Sequence, residues 1–142
     1  MTRLAIQNHP GWHVSGIEAE RQGPSYLVET LEAFSMEHPS ATLVFLMGFD
    51  SLSTFDHWVR VEDIVSLAEV WVMPRPGKDG PQALAALEER APALTGNVKL
   101  LQGPMNDISA THIREAVQAG QEIDHLVPKA VADYIKTRKL YL

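Results

Sequence analysis

The 142 residues include no cysteine, so the chain can form no disulfide, no thiolate metal site and no cysteine nucleophile. Such a composition fits a reducing compartment, and a cytoplasmic protein is expected. Positive charge is scarce as well. Twelve Lys and Arg stand against eighteen Asp and Glu, a formal net charge of −6 that disfavours general attraction to nucleic acid or to an anionic membrane. Any anion must be held by a local site. Long apolar runs are missing too: the strongest, Leu43 to Met47 with Phe49 just beyond, falls well short of the roughly 18 residues a membrane-spanning helix needs. Arg3, Gln7, Asn8, His9 and Pro10 interrupt any secretory h-region. The six histidines show no H-E-x-x-H or other compact ligand spacing, so no structural metal is expected. G-x-S-x-G and G-x-x-x-x-G-K-[ST] are also absent, which removes the usual signals of serine hydrolases and P-loop NTPases.

What is present describes one folded domain, residues 1–142. Hydrophobic residues make up 45% and charged residues 21%, near the average of globular chains, and the length allows a single sizeable core. Residues 2–8 read as the end of a helix. The alternation of Trp12 to Ile17 reads as a half-buried strand, and the polar EAERQGP after it as a turn. Tyr26, Leu27, Val28, Leu31 and Phe34 then recur at helical spacing until His38-Pro39. The continuous apolar run 41–48 suits a central strand covered on both faces, with Asp50 and Ser51 available to cap the next element. One broken helix or two short ones follow through Leu67, then a strand over 69–73 and a loop over 74–81, where two prolines and a glycine forbid regular structure. A helix from Pro81 to about Arg90, a strand over 98–101, a capped helix from Asp107 to a glycine stop at Gly120, and a last helix over 128–139 complete the chain. Alternating strands and helices predict an α/β layer with a mainly parallel sheet, whose ligands bind at the carboxyl ends of the strands.

Three places carry candidate chemistry. Gly48-Phe-Asp50-Ser51 ends the most apolar strand; glycine admits a ligand to the backbone and Asp50 can accept hydrogen bonds from ribose hydroxyls, although Asp50 or Ser51 can equally be a plain helix cap. In Ile108-Ser-Ala-Thr-His-Ile-Arg114, Ser109, Thr111 and Arg114 lie in the first turns of a helix, where a phosphate gains backbone donors and a guanidinium; ordinary capping again competes. Trp58, with the Gly23-Pro-Ser-Tyr26 turn as a companion, offers a planar face to an aromatic ligand, and Arg75 in its proline-flanked loop can hold a second phosphate. Against this, Trp58 also fits a core position and Arg75 a solvated loop.

Taken together, GPSYLVETL (23–31), LVFLMGFDSLSTFDHW (43–58), VMPRPG (72–77), ISATHIRE (108–115) and LVPKAVADYIKTRKLY (126–141) resemble, in order, bacterial nicotinate-nucleotide adenylyltransferases of the nucleotidyltransferase superfamily. ISATHIRE looks like that family's I-S-[SA]-T-x-I-R signature. The resemblance implies a Rossmann-like parallel sheet with flanking helices and transfer of AMP from ATP to nicotinate mononucleotide, giving deamido-NAD and pyrophosphate with the help of Mg²⁺. By position it implies that Ile108, Ser109, Thr111 and Arg114 bind the ATP phosphates, with Ser109, Thr111 and Arg114 catalytic. Gly48, Asp50 and Ser51 would meet the adenosine part. Trp58 would stack on the nicotinate ring beside Tyr26, backbone N–H groups near Leu27 and Val59 would receive the carboxylate, and Arg75 would face the mononucleotide. The family's opening segment, G-G-x-F-x-P-x-H-x-G-H, does not occur in these residues. The expectation is therefore an N-terminally truncated version of the fold with uncovered edges that favour a homo-oligomer. A catalytically inactive nucleotide-binding remnant or assembly module of the same fold is the competing reading.

Overall fold

The computed structural model describes residues 1–103 and 108–142. The chain divides into two compact units, Ile17–Asn106 and the pair of segments Met1–Gly16 and Asp107–Leu142.

In the larger unit, helices pack on one face of a small parallel sheet. Three strands, β1 (Leu43–Gly48), β2 (Ala68–Met73) and β3 (Val98–Leu100), pair in parallel in the order β1-β2-β3. The register sets Leu43 opposite Ala68, Gly48 opposite Met73, and Val70 opposite Val98. Helix α2 (Leu27–Glu37) precedes β1; a 3₁₀ helix (Phe49–His57) and α3 (Val61–Leu67) lead to β2; α4 (Gly80–Arg90) and the short α5 (Pro92–Thr95) lead to β3. Val28 and Leu31 of α2, Leu52 and Phe55 of the 3₁₀ helix, Ile64 of α3 and Leu87 of α4 close over Val70 and Val72 of β2 in one core. Each connection of helical length lets consecutive strands run parallel. Asp79 caps α4 by accepting from the Gln82 N–H at 2.9 Å, and Pro81 occupies its first turn, where a missing N–H costs nothing.

Sequence and structure part at three points in these elements. The apolar run 43–48 is an edge strand rather than the central one. Among the described residues β2 alone has a neighbour on each side, and β1 leaves Val44 and Leu46 exposed, Leu46 at 58%. Nor is β1 covered on both faces: an unbroken apolar run fixes neither the number of strand neighbours nor what covers each face. Secondly, Asp50 and Ser51 do not cap the element after β1: the N-cap is Gly48, without a side-chain bond, because the chain turns at once into a 3₁₀ helix. Thirdly, the short α5 fills part of the stretch between Arg90 and Val98, where no element was expected.

In the smaller unit α1 (Thr2–Ile6), α6 (Ala110–Gln118) and α7 (Lys129–Thr137) surround Ala116, Ile123, Val131, Ala132 and Ile135, with Leu4 and Ala5 of α1 packed on them. Trp12 to Ile17 forms no strand. The Trp12 N–H donates to the His9 carbonyl across Pro10-Gly11, with Gly11 at φ +85°, and the Trp12 ring stacks on His9 at 4.6 Å. Proline followed by a positive-φ glycine is turn chemistry, and no strand among the described residues pairs with the segment. The Asp107 cap lies outside the described residues. Ser109 caps α6 instead, and the glycine stop is present: Gly120 adopts φ +68° and the Gln121 N–H returns to the Ala116 carbonyl at 2.9 Å.

Candidate functional site

In the larger unit the carboxyl ends of β1 and β2 lie side by side, since Gly48 is in register with Met73. Asp50 stands two residues beyond the first and Arg75 two beyond the second, and their side chains form an ion pair. The two residues that the sequence suggested separately are therefore one exposed donor–acceptor pair. The larger unit also holds a cleft of about 510 Å³, within the range of small-molecule sites, which neither Asp50 nor Arg75 lines. Tyr26, Leu27, Trp58 and Val59, four of the five residues expected to meet a nicotinate nucleotide, line it together with Phe45 and Ile64.

Trp58 is part core contact and part cleft wall. Its ring meets Phe55 edge-on at 5.4 Å and Phe45 at 6.0 Å, yet it is only half-buried and its remaining surface forms cleft wall. Just past Val59 the backbone turns through Arg60, whose φ of 53° and ψ of 45° lie in the left-handed region. That conformation is costly for a residue with a side chain. Its guanidinium is held by Glu32 and Asp63, each at 2.6 Å, and these hydrogen bonds raise the Arg60 pKa above its ordinary value. The opposite wall begins at α2. Tyr26 is its N-cap without a side-chain bond; its carbonyl accepts from the Glu29 N–H at 3.2 Å, while no side chain caps the Leu27 and Val28 N–H groups, and the helix dipole adds partial positive charge there. A ligand with an aromatic ring and a carboxylate suits an indole face beside such a terminus.

The cleft also uses Ser25 of the Gly23-Pro-Ser-Tyr26 turn, and residues that the sequence did not single out: Glu18, Phe45, His57 and Ile64. Glu18 sits in EAERQGP, which reads only as a polar turn; no periodicity marks a loop that folds back on a helix start.

In the smaller unit Ser109 accepts from the His112 N–H at 3.1 Å, and Arg114 donates to the Thr111 hydroxyl at 3.1 Å. Each hydroxyl acts here as an acceptor and keeps its own hydrogen. The cap and a phosphate contact are therefore chemically compatible: both hydroxyls can donate outward while Arg114, exposed on the first turns of α6, supplies charge. Ile108 precedes them and is exposed.

Among the described residues no group of three His, Asp or Glu side chains is placed to hold a metal ion. No helix among the described residues is long and apolar enough to cross a membrane.

The comparisons with known proteins agree with this architecture. A profile described as cytidylyltransferase-like matches residues 1–116. A probable nicotinate-nucleotide adenylyltransferase of Herpetosiphon aurantiacus is 40% identical over 144 residues, covering 100% of this chain and 71% of its own length. A protein of the same description from Symbiobacterium thermophilum is 37% identical over 142 residues, with 100% and 68% covered. Among solved structures, Plasmodium falciparum nicotinic acid mononucleotide adenylyltransferase complexed with APC superposes with a TM-score of 0.64 at 19% identity, over 84% of this chain and 60% of that one. At that identity the likeness concerns the fold: an α/β nucleotidyltransferase. The chain belongs to the cytidylyltransferase-like family and, within it, to the nicotinate-nucleotide adenylyltransferases.

Proposed function

We infer that the protein transfers AMP from MgATP to nicotinate mononucleotide, forming deamido-NAD and pyrophosphate in NAD biosynthesis. The observation that supports this most is the single cleft shared by Tyr26, Leu27, Trp58 and Val59, which pairs an indole face with an uncapped helix start. In this reading the pyridine ring stacks on Trp58, its carboxylate takes the N–H groups near Leu27 and Val59, and Arg75 faces the mononucleotide. Gly48, Asp50 and Ser51 meet the adenosine, while Ile108, Ser109, Thr111 and Arg114 meet the triphosphate. A carboxylate gains from the positive end of α2, which an amide does not, so the acid is the preferred acceptor over nicotinamide mononucleotide.

A phosphate oxygen of the mononucleotide attacks the α-phosphorus of ATP in line. A new P–O bond forms, the bond to the β-phosphate bridging oxygen breaks, and pyrophosphate leaves with that electron pair. The mononucleotide phosphate is itself the nucleophile, so the protein contributes position and charge stabilisation. Arg114 neutralises negative charge growing on the phosphoryl oxygens, with the Ser109 and Thr111 hydroxyls donating beside it. Among the described residues no side chains form a cage of hard oxygen ligands for Mg²⁺, and an ion that keeps most of its ligands as water and substrate phosphate needs none; in this reading it arrives as part of the substrate MgATP. A cytoplasmic location, where ATP is supplied, belongs to the same reading.

The test is pyrophosphate release from the 142-residue chain with MgATP and either nicotinate or nicotinamide mononucleotide, repeated on Arg114→Ala. Release that depends on the acid acceptor and falls by at least about a hundredfold in the variant is expected, as for the loss of a charged transition-state donor. Binding of both nucleotides without pyrophosphate release would favour the inactive nucleotide-binding module instead.

A further inference from the structure

Thr30, 7% exposed, is the buried polar side chain among the described residues, and it sits one turn into α2 behind the cleft wall. Its hydroxyl donates to Glu18 Oε1 at 2.9 Å and accepts from Arg21 Nη1 at 3.4 Å. The same guanidinium nitrogen reaches the Tyr26 carbonyl at 3.5 Å and Glu29 Oε2 at 3.2 Å, and Ser25 Oγ donates to the Glu18 carbonyl at 3.2 Å. These bonds tie residues 18–26 onto the first turn of α2. Nothing else does so through packing, because residues 18–26 place no side chain in the buried core. Gly23, at φ +88°, makes the reversal that brings Ser25 and Tyr26 to the helix. Glu18, Ser25, Tyr26 and Leu27 in turn line the cleft.

We propose that Thr30, with Glu18 and Arg21, is a positioning residue for pyridine-nucleotide recognition: it fixes the loop that presents Tyr26 and the Leu27 N–H to the ring and its carboxylate. The proposal rests on the cleft's being the nicotinate site. Thr30 touches no ligand. It acts because a wall built from an unpacked loop has only polar bonds to set its position, and a hydrogen bond to a charged carboxylate is among the stronger ones. The bond also restrains the Glu18 carboxylate, an anion lining a cleft meant for another anion.

Calorimetric titration of the whole chain with nicotinate mononucleotide and, separately, with MgATP tests this on wild type, Thr30→Val and Thr30→Ser. Valine keeps the shape and removes the hydroxyl; serine restores it. For Thr30→Val, mononucleotide affinity is expected to drop about tenfold with MgATP affinity unchanged, and Thr30→Ser to recover to within about twofold of wild type. A merely structural role would weaken both ligands together, and that outcome overturns the proposal. So does a Thr30→Val that binds the mononucleotide like wild type, or a serine variant as weak as the valine one. A wild-type chain that binds MgATP but not the mononucleotide removes the nicotinate reading of the cleft, and this inference with it.

Discussion

Replacing Trp58 by alanine separates the two roles that its position combines. The indole loses two edge-on aromatic contacts, to Phe55 and Phe45, each worth about 0.5–1.5 kcal/mol beyond area burial. It also gives up part of its buried apolar surface, though less than a fully enclosed tryptophan, for which truncation costs about 3–5 kcal/mol. A destabilisation of about 2–3 kcal/mol follows for Trp58→Ala, and about 1 kcal/mol for Trp58→Phe, which keeps a ring between the two phenylalanines. On the ligand side, stacking of one heteroaromatic ring is worth about 1–3 kcal/mol, so mononucleotide affinity should fall about tenfold or more for alanine and much less for phenylalanine. Urea unfolding followed by far-ultraviolet circular dichroism gives the first quantity, since Trp12 and Trp71 would confuse a fluorescence readout. Calorimetry at a temperature where the variant remains folded gives the second. If Trp58→Ala lost the expected stability and still bound nicotinate mononucleotide like wild type, the indole would be a core residue alone. If stability did not change, the packing argument itself would be wrong.

Ser109 allows a similar separation: Ser109→Ala should cost about 1 kcal/mol in thermal or urea unfolding through the lost cap, whereas Ser109→Asp should keep the cap and its stability but repel the triphosphate, so that only MgATP titration registers it. Arg75→Ala is expected to change stability by less than about 1 kcal/mol, because its ion pair with Asp50 is exposed, while weakening nucleotide binding measured by calorimetry. Hydrogen bonding from Arg90, together with its charge and that of His57, holds the Asp56 carboxyl below the usual carboxylate range against a smaller opposing effect of burial. A depressed folded pKa contributes stability above the unfolded pKa that disappears as pH falls through the folded one. Asp56→Asn should therefore unfold at lower temperature than wild type near neutrality, with the two curves converging in strong acid; parallel curves throughout would show that the pair does not titrate as a unit with folding.

The elements of this chain were legible wherever the signal is local. Periodicity from Tyr26 to Phe34 gave α2, Pro81 marked the first turn of α4, and Gly120 ended α6, because capping and amphipathicity depend on residues within a turn or two. Non-local facts were not legible. The hydrophobicity of Leu43 to Met47 says that the strand is apolar, not that β2 rather than β1 has two neighbours. The alternation of Trp12 to Ile17 satisfies a strand template, yet a strand needs a partner, and Pro10-Gly11 directs this stretch into a turn instead. The candidate site divides in the same way. Tyr26, Leu27, Trp58 and Val59 could be singled out by residue type and resemblance, but Thr30, Glu18 and Arg21 are joined across a loop by bonds that no spacing rule announces.

The Asp50–Arg75 pair shows how a register converts separate residues into one feature. Parallel pairing of Gly48 with Met73 brings the residues two positions beyond each strand together at the sheet edge where α/β folds bind ligands. Mutual neutralisation does not disable both, because the side chains stay 58% and 43% exposed. An exposed pair holds together by only about 0–1 kcal/mol, so it opens at little cost. Nor does it need to open fully: a guanidinium has five N–H donors and a carboxylate about four acceptor sites, and one shared contact leaves most of them free. Before a ligand arrives, the pair orients each group; afterwards, Arg75 can meet a phosphate while Asp50 accepts from ribose hydroxyls. The contact is thus compatible with nucleotide binding at both residues, and it predicts that removing either one loosens the other.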